Sequence, residues 1–256
     1  MIQANHCDGL ILERNTIGRA GHSPAHLREC KRLIVRRNVF CAKWGRGFET
    51  FNAEPMLFEQ NIVTEEVDSG GSADSRGKIM SIGGIVRGNL VFHNYDMALA
   101  SNSYIYRKGF PAWVLKDTRI YHNTFYHNHT YAWIVKAMAS DLSTVSGNVW
   151  QNNIFFDNDP LGDGRQLQLA ELGTGNHFAH NIISGSVPGQ KVIALLEPGA
   201  GYKRHTLAEA ENRFPKLFAG NLDVSVKFID ADAGNLRLAP GSPGIDSGIP
   251  LTRTRN

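Results

Sequence analysis

The hydrophobic positions of this chain recur in seven short segments, each built around an asparagine. The segments read LILERNTI, LIVRRNVF, MLFEQNIV, GIVRGNLV, TRIYHNTF, NVWQNNIF and NHFAHNII. In every segment an apolar residue stands three positions before the asparagine and another stands two positions after it. The asparagines are Asn15, Asn38, Asn61, Asn89, Asn123, Asn153 and Asn181. This recurrence, with a first spacing of 23 residues, predicts a solenoid of stacked coils.

The segments are predicted to be strands, because they are short and rich in β-branched and aromatic residues. Strands of successive coils stack about 4.8 Å apart, so the asparagine amides can form a hydrogen-bonded ladder inside a turn. A second column alternates in charge, as stacked neighbours would. It consists of Glu13, Arg36, Glu59 and Arg87. We therefore predict a structural role for the seven asparagines.

On these features the chain resembles the pectin-lyase-like, right-handed parallel β-helix proteins over roughly residues 5–200. The segment FIDADAGNLRLAPGSPGIDSG is similar to the tail that follows the coils in many carbohydrate-active members. The resemblance implies an all-β, right-handed parallel β-helix of about seven or more coils with a C-terminal flap or cap. We assign the coils to residues 1–200 and, within the same domain, an extension that packs on the solenoid to residues 201–256. In that extension TLAEAENRF predicts a helix.

The superfamily includes polysaccharide lyases, glycoside hydrolases, epimerases, phage tailspikes and passive adhesins, so the fold does not give the reaction. A net charge of +3 and a pI of about 8.8 mildly favour an anionic partner. No long run of Lys and Arg points to nucleic acid, and no apolar stretch is long enough to span a membrane.

The chain enters the repeat almost at once, without a signal-like segment, although the resemblance implies an extracellular or periplasmic protein. This start leaves little room for an N-terminal cap. A trimmed sequence, a gene fragment, a separate capping chain or a homo-oligomer would each account for that.

Function is expected where the chain departs from the repeat. The longest insertions are residues 64–78, 93–117 and 157–165. Each follows an asparagine strand, so we expect all three to project from one side of the solenoid as walls beside a sheet. On that side the 23-residue register stacks His26 on Glu49. Strand alternation turns both outward if Phe48 points inward.

A histidine beside a carboxylate is a proton-transfer unit, because the carboxylate raises the pKa of the imidazole and selects its tautomer. An ordinary cross-strand contact is the alternative interpretation. The next coil adds two cations near the same line. The candidate catalytic residues are therefore His26, Glu49, Arg76 and Lys78.

Groups suited to holding an acidic sugar lie in the turns on the same side and on a following strand. They are His22, Lys43, Trp44, Arg46, Tyr95, His127, His129, Tyr131 and Lys136. Arg and Lys can neutralise a uronate carboxylate, which eases removal of the adjacent proton, and His or Tyr can protonate the leaving oxygen. These candidate catalytic and binding side chains predict a polysaccharide lyase that cleaves an anionic, uronate-containing polysaccharide or oligosaccharide by β-elimination.

No cofactor is certain. Similar lyases often use calcium, and hard oxygen ligands for Ca²⁺ could come from one acidic loop, which could equally be a solvated surface loop. Its candidate ligands are Glu65, Glu66, Asp68 and Asp74. The RxPxxR motif of pectate and pectin lyases is absent, as is the NGExxRxG-type strand of alginate and chondroitin lyases. No catalytic residue therefore transfers by motif matching.

Two other functions stay open. A glycoside hydrolase would pair Glu49 with Asp68 or Asp74 across the scissile bond. A noncatalytic glycan-binding module, or a fragment of an adhesin or tailspike, would need no reacting group.

Overall fold

The computed structural model describes residues 2–18, 25–42, 48–65, 77–94, 99–102, 112–137 and 141–251, with the backbone alone at positions 42, 65, 100 and 102. The first twelve strands are β1 (Ile2–Asn5), β2 (Ile11–Glu13), β3 (Thr16–Gly18), β4 (Ala25–Arg28), β5 (Lys31–Arg36), β6 (Val39–Ala42), β7 (Phe48–Phe51), β8 (Glu54–Glu59), β9 (Ile62–Glu65), β10 (Gly77–Lys78), β11 (Ile85–Arg87) and β12 (Leu90–Phe92).

The later strands are β13 (Leu99–Asn102), β14 (Leu115–Lys116), β15 (Arg119–Tyr121), β16 (Thr124–Tyr126), β17 (Trp133–Lys136), β18 (Val145–Ser146), β19 (Val149–Gln151), β20 (Ile154–Phe156), β21 (Leu167–Ala170), β22 (His177–Ala179), β23 (Ile182–Ser184), β24 (Ile193–Glu197), β25 (Gly201–His205), β26 (Phe218–Ala219), β27 (Phe228–Asp230) and β28 (Asn235–Leu238). A 3₁₀ helix spans Leu142–Thr144, and the helix α1 (Leu207–Arg213) lies between β25 and β26.

These strands form three long sheets that run along a parallel β-helix, as predicted. Sheet A holds β1, β4, β7, β10, β13, β17, β21 and β24, sheet B holds β2, β5, β8, β11, β15, β19, β22 and β26, and sheet C holds β3, β6, β9, β12, β16, β20 and β23. Neighbours within each sheet are parallel, and β25 adds to the end of sheet A in the antiparallel direction. Within the described residues the chain therefore completes seven coils and part of an eighth.

The core forms because alternate strand residues point inward. The predicted apolar column before the asparagines is in register through all seven coils, and Phe218 of β26 extends it. Its aromatic members stack, with the rings of Trp150 and Phe178 4.3 Å apart. The column after the asparagines stacks in the same way, with 4.9 Å between Phe125 and Phe155. Both predicted columns are buried in one continuous core.

The asparagine ladder is confirmed. In each coil the side-chain Nδ2 and the backbone N–H of the asparagine donate to the Oδ1 of the next one, as in the bonds from Asn38 to Asn61 at 3.0 Å. The ladder continues beyond the predicted copies to Asn221. A second ladder joins Asn94, Asn128 and Asn158. The repeat pattern did not predict it. Each amide satisfies buried backbone groups at a turn, where leaving them without a partner is costly.

The alternating charge column also forms. Glu13, Arg36, Glu59 and Arg87 stand in register on sheet B. Arg36 lies 3.0 Å from Glu13, and Arg87 lies 2.7 Å from Glu59. The hydrogen bond from Arg36 lowers the pKa of the Glu13 carboxyl.

The C-terminal part closes the solenoid end and covers sheet C. Helix α1 forms where predicted, begins at a capping box between Thr206 and Glu209, and buries Leu207 in the core. Farther on, β27 and β28 form a hairpin whose Phe228 ring packs 5.0 Å from Tyr126, which lies on sheet C. No helix among the described residues is long and apolar enough to cross a membrane.

One prediction about the insertions is wrong. Residues 93–117 do not form a single projection, because β13 lies within them and pairs in sheet A. Residues 103–114 lie in sequence between β13 of sheet A and β14, which pairs with β18 in a separate two-stranded sheet, whereas the connections from β9 to β10 and from β20 to β21 run from sheet C to sheet A. The sequence pattern does not predict β13, because its sequence, LASN, contains only Leu99 as a large apolar residue.

Candidate functional site

The outer face of sheet A carries three of the four predicted catalytic residues. His26 stands opposite Glu49 across the β4–β7 pair, as the repeat predicts. Lys78 stands opposite Glu49 on the other side, across β7 and β10. The three residues thus occupy one column on successive strands, about 4.8 Å apart. Arg76, the fourth candidate, lies outside the described residues.

An aromatic side chain forms the centre of this region. Phe51 is two residues beyond Glu49 and on the same face, opposite Arg28. It is nevertheless almost fully buried, because Trp113 packs on it with ring centroids 4.2 Å apart. Asn52 holds that segment in place, since its side chain donates to the Ala112 carbonyl at 3.0 Å and accepts from the Val114 N–H at 2.8 Å.

Cationic side chains surround the two rings. The Nζ of Lys78 lies 3.8 Å from the centroid of Trp113 and 5.4 Å from that of Phe51. The guanidinium of Arg28 lies 5.5 Å from the Phe51 centroid, and the His26 ring meets the same ring edge-on at 4.9 Å. A cation is attracted electrostatically to the face of an aromatic ring, so these contacts hold the basic side chains against the two rings. We call His26, Arg28, Glu49, Phe51, Lys78 and Trp113 the Phe51 cluster.

Two members of this cluster are buried, although strand alternation predicted that the His26–Glu49 pair faces outward. Glu49 is 1% exposed and Lys78 is 6% exposed, whereas His26 is half-buried. Both buried groups point away from the core, and Trp113 lies over Lys78. Sequence periodicity predicts the direction of a side chain and contains no information about a segment that folds back over it. His26 is therefore the accessible member of the predicted pair.

His127 belongs to a different cluster, at the corner that follows sheet C. Its Nδ1 lies 3.2 Å from the Oδ2 of Asp157, and its ring is 5.6 Å from that of His93 one coil earlier. The hydrogen bond to Asp157 raises the pKa of His127. Burial lowers the pKa of His93, and the charge of His127 lowers it further. This arrangement is a hydrogen-bonded His127–Asp157 dyad beside a histidine whose lowered pKa favours its neutral form.

Tyr131 and Lys136 lie near a second patch on the outer face of sheet A. Ile134 follows Lys78 in the same column, two strands along, and Tyr131 packs against it. The guanidinium of Arg165 sits 4.5 Å from the Tyr131 ring centroid. Lys136 lies 3.7 Å from Glu171. The backbone N–H of His129 donates to the Asn94 carbonyl.

The remaining predicted residues cannot be placed. Those outside the described residues are His22, Lys43, Trp44, Arg46, Glu66, Asp68, Asp74 and Tyr95, and only the backbone of Glu65 is described. The predicted calcium loop therefore stays a prediction. Among the residues that are described, no group of three or more His, Cys, Asp or Glu side chains is arranged to hold a metal ion.

Three members of the Phe51 cluster were missed by sequence reasoning. Arg28 and Phe51 follow His26 and Glu49 by two positions, so the same strand alternation that turned the first pair outward could have found them. Trp113 had no such signal, because it reaches the cluster from a segment about 60 residues away, held by Asn52.

No family model, no curated protein and no solved structure matches this chain. Support for a function comes from the chemistry of its own residues.

Proposed function

We propose that the protein acts on an anionic, uronate-containing polysaccharide along the outer face of sheet A, as a lyase that works by β-elimination. The observation that supports this proposal is the grouping of two basic side chains, Arg28 and Lys78, and one histidine around the Phe51 ring. Glu49 is the one carboxyl group of the cluster. The cluster therefore carries more positive than negative charge, which favours a sugar carboxylate.

Each group has a distinct role in this proposal. His26 is half-buried, so it can reach a substrate and exchange a proton with it. Glu49 stands behind it, opposite in the strand register, and orients the imidazole. Lys78 lies 3.8 Å from the Trp113 ring centroid and 5.4 Å from that of Phe51. Its role is to stabilise negative charge, and the proton transfer is left to His26.

The reaction assigned to this site needs one proton removed and one bond broken. A base takes the proton on the carbon next to the uronate carboxylate, and the electron pair of that C–H bond forms a C=C bond. The bond to the adjacent glycosidic oxygen breaks, and this oxygen takes up a proton, either returned by the protonated imidazole of His26 or supplied by water. Negative charge builds up on the carboxylate during the first step, where nearby cations lower the barrier.

The second patch on sheet A offers room for further sugar units. Ile134 and Tyr131 lie two strands beyond Lys78, about 10 Å along the solenoid. The guanidinium of Arg165, which also pairs with Asp159 at 3.3 Å, lies against the Tyr131 ring, and this ring can stack on a sugar. A substrate that runs parallel to the solenoid axis would contact both patches.

A noncatalytic glycan-binding protein is the second candidate. The observation that favours it is the burial of Glu49 and Lys78, which leaves little of either side chain exposed to solvent. In that case the Phe51 cluster would stabilise the fold and the outer surface alone would bind sugar.

A panel of alginate, pectate and glycosaminoglycans separates these functions. A lyase produces an unsaturated product that absorbs in the ultraviolet, whereas a hydrolase produces new reducing ends without this absorbance. Binding without either signal indicates the noncatalytic function. Each assay is run with and without a chelator to determine whether the reaction requires calcium. The proposal is wrong if no polysaccharide in the panel yields an unsaturated product.

A further inference from the structure

A second basic region lies at the C-terminal end of the solenoid, many strands away from the Phe51 cluster. A cavity of about 500 Å³ opens between the turn before β24, strand β25 and helix α1. Its charged lining residues are Lys191, Glu197, Lys203, Arg204, Glu209 and Arg213. Four cations thus face two carboxylates around a space large enough for a small ligand.

The carboxylates of this cavity are already engaged within its wall. Glu197 bonds to the Nε2 of His205 at 3.1 Å and pairs with Arg213 at 2.9 Å. Glu209 accepts the backbone N–H of Thr206 at 2.8 Å, and this bond lowers the pKa of its carboxyl group. Neither carboxylate forms an ion pair with a lysine among the described residues, although the charge of Lys191 also lowers the pKa of Glu209.

Arg204 positions one of the two lysines. Its guanidinium pairs with Asp163 at 3.1 Å and donates to the backbone carbonyl of Lys191 at 2.7 Å. These bonds tie the turn before β24 to β25, the strand that carries Lys203. Lys191 and Lys203 themselves are exposed and make no ion pair within the part of the chain that the structure describes.

We propose that this cavity binds a compact oxyanion, phosphate or sulfate, either free or as an ester on a sugar. Two ammonium groups, brought to one cavity by separate elements, can donate charge-assisted hydrogen bonds to different oxygens of the same anion. The Asn212 side chain, which also lines the cavity, adds a neutral donor. This site does not depend on the function proposed for sheet A.

Titration calorimetry with sodium phosphate, sodium sulfate and glucosamine 6-sulfate, at matched ionic strength, tests the proposal. Matching the ionic strength removes general screening of surface charge. We expect saturable binding, and a melting temperature that rises with anion concentration. Binding of the salts assigns a free anion, whereas binding of the sugar ester alone assigns a sulfated glycan.

The matched variants are Lys191→Ala/Lys203→Ala and Lys216→Ala/Lys227→Ala. Both remove two exposed lysines and change the net charge equally, but the second pair lies outside the cavity. The first variant should weaken binding by at least about tenfold, because it loses two charge-assisted bonds. The second should bind like the natural chain. Equal loss in both variants, or no saturable binding of any of the three anions, would overturn the proposal.

Discussion

Glu211 ends the asparagine ladder by taking the place of the next asparagine. Its Oε1 accepts the backbone N–H of Asn221 at 2.8 Å and the Nδ2 of the same residue at 3.0 Å. These are the two groups that each earlier asparagine donates to the Oδ1 of its successor. Helix α1 thus supplies the last acceptor of a hydrogen-bonded column that runs the length of the solenoid.

Replacing Glu211 by Ala should lower the free energy of unfolding by about 1–2 kcal/mol, because two donors of the buried Asn221 lose their acceptor. Glu211→Gln retains a carbonyl oxygen at the same position and should lose less. Chemical denaturation of the three proteins measures the difference. Equal stability of the Ala variant and the natural chain would show that solvent replaces this acceptor without cost.

An asparagine from the middle of the ladder should matter more. Asn123 donates to Asn153 and to the Val86 carbonyl, and it accepts both donors of Asn89. Asn123→Ala should cost about 3 kcal/mol or more, since several buried groups lose their partners together.

The end of the same ladder provides the comparison. Asn15 is only half-buried, so Asn15→Ala should cost about 1 kcal/mol. Urea denaturation of both variants tests this ranking, and a larger loss for Asn15→Ala would contradict the account of the ladder.

The buried charges of the Phe51 cluster should be coupled. Lys78→Met leaves the Glu49 carboxylate buried without the cation beside it, and we expect a loss of about 3–5 kcal/mol. Adding Glu49→Gln removes the charge that was left behind, so the double variant should recover part of this loss. A double-mutant cycle by denaturation measures the coupling.

A matched control is Lys116→Met, which removes an exposed lysine and should leave stability nearly unchanged. A coupling energy near zero between Lys78 and Glu49 would contradict the expectation that removing one of them leaves the other as an uncompensated buried charge.

The His127–Asp157 dyad predicts a pH effect with a definite sign. Because the hydrogen bond to Asp157 raises the folded-state pKa of His127 above its ordinary value of 6.5, this bond stabilises the fold below pH 6.5. The contribution is lost as the pH rises through the raised pKa. His93 acts in the opposite sense, since its lowered pKa means that the fold loses stability as the pH falls below 6.5.

Asp157→Asn should therefore lower the pKa of His127, as followed by NMR of the imidazole protons. Asp232→Asn is the matched control, because Asp232 acts on His127 only through its charge, without a hydrogen bond. It should produce a smaller shift. Equal shifts in the two variants would show that the hydrogen bond is not the main cause.

The stacked columns could be predicted because a solenoid brings residues one period apart into contact. This rule found the first ladder, the charge column and the opposition of His26 and Glu49. It missed Asn221, which follows Asn181 by 40 residues because helix α1 intervenes. The segment around Asn221 also breaks the apolar pattern, with Asp223 in the column where other coils have an apolar residue.

The sequence contains a signal that could have predicted the second ladder. Asn94, Asn128 and Asn158 each stand five residues after an asparagine of the first ladder. The sequence contains no signal for the packing of Trp113 over Lys78, because Trp113 belongs to no column of the repeat. Burial of a site by a segment from a distant turn is a property of tertiary packing, which periodicity alone does not describe.

The measurement that tests the central claim most directly is the initial rate of formation of unsaturated product from the best substrate of the uronate panel. It compares the natural chain with His26→Ala and with His177→Ala, a control on sheet B. If His26 exchanges the proton, His26→Ala should lower kcat by at least about 100-fold while His177→Ala keeps full activity. Unchanged activity of His26→Ala would contradict the assignment of the reaction to the outer face of sheet A.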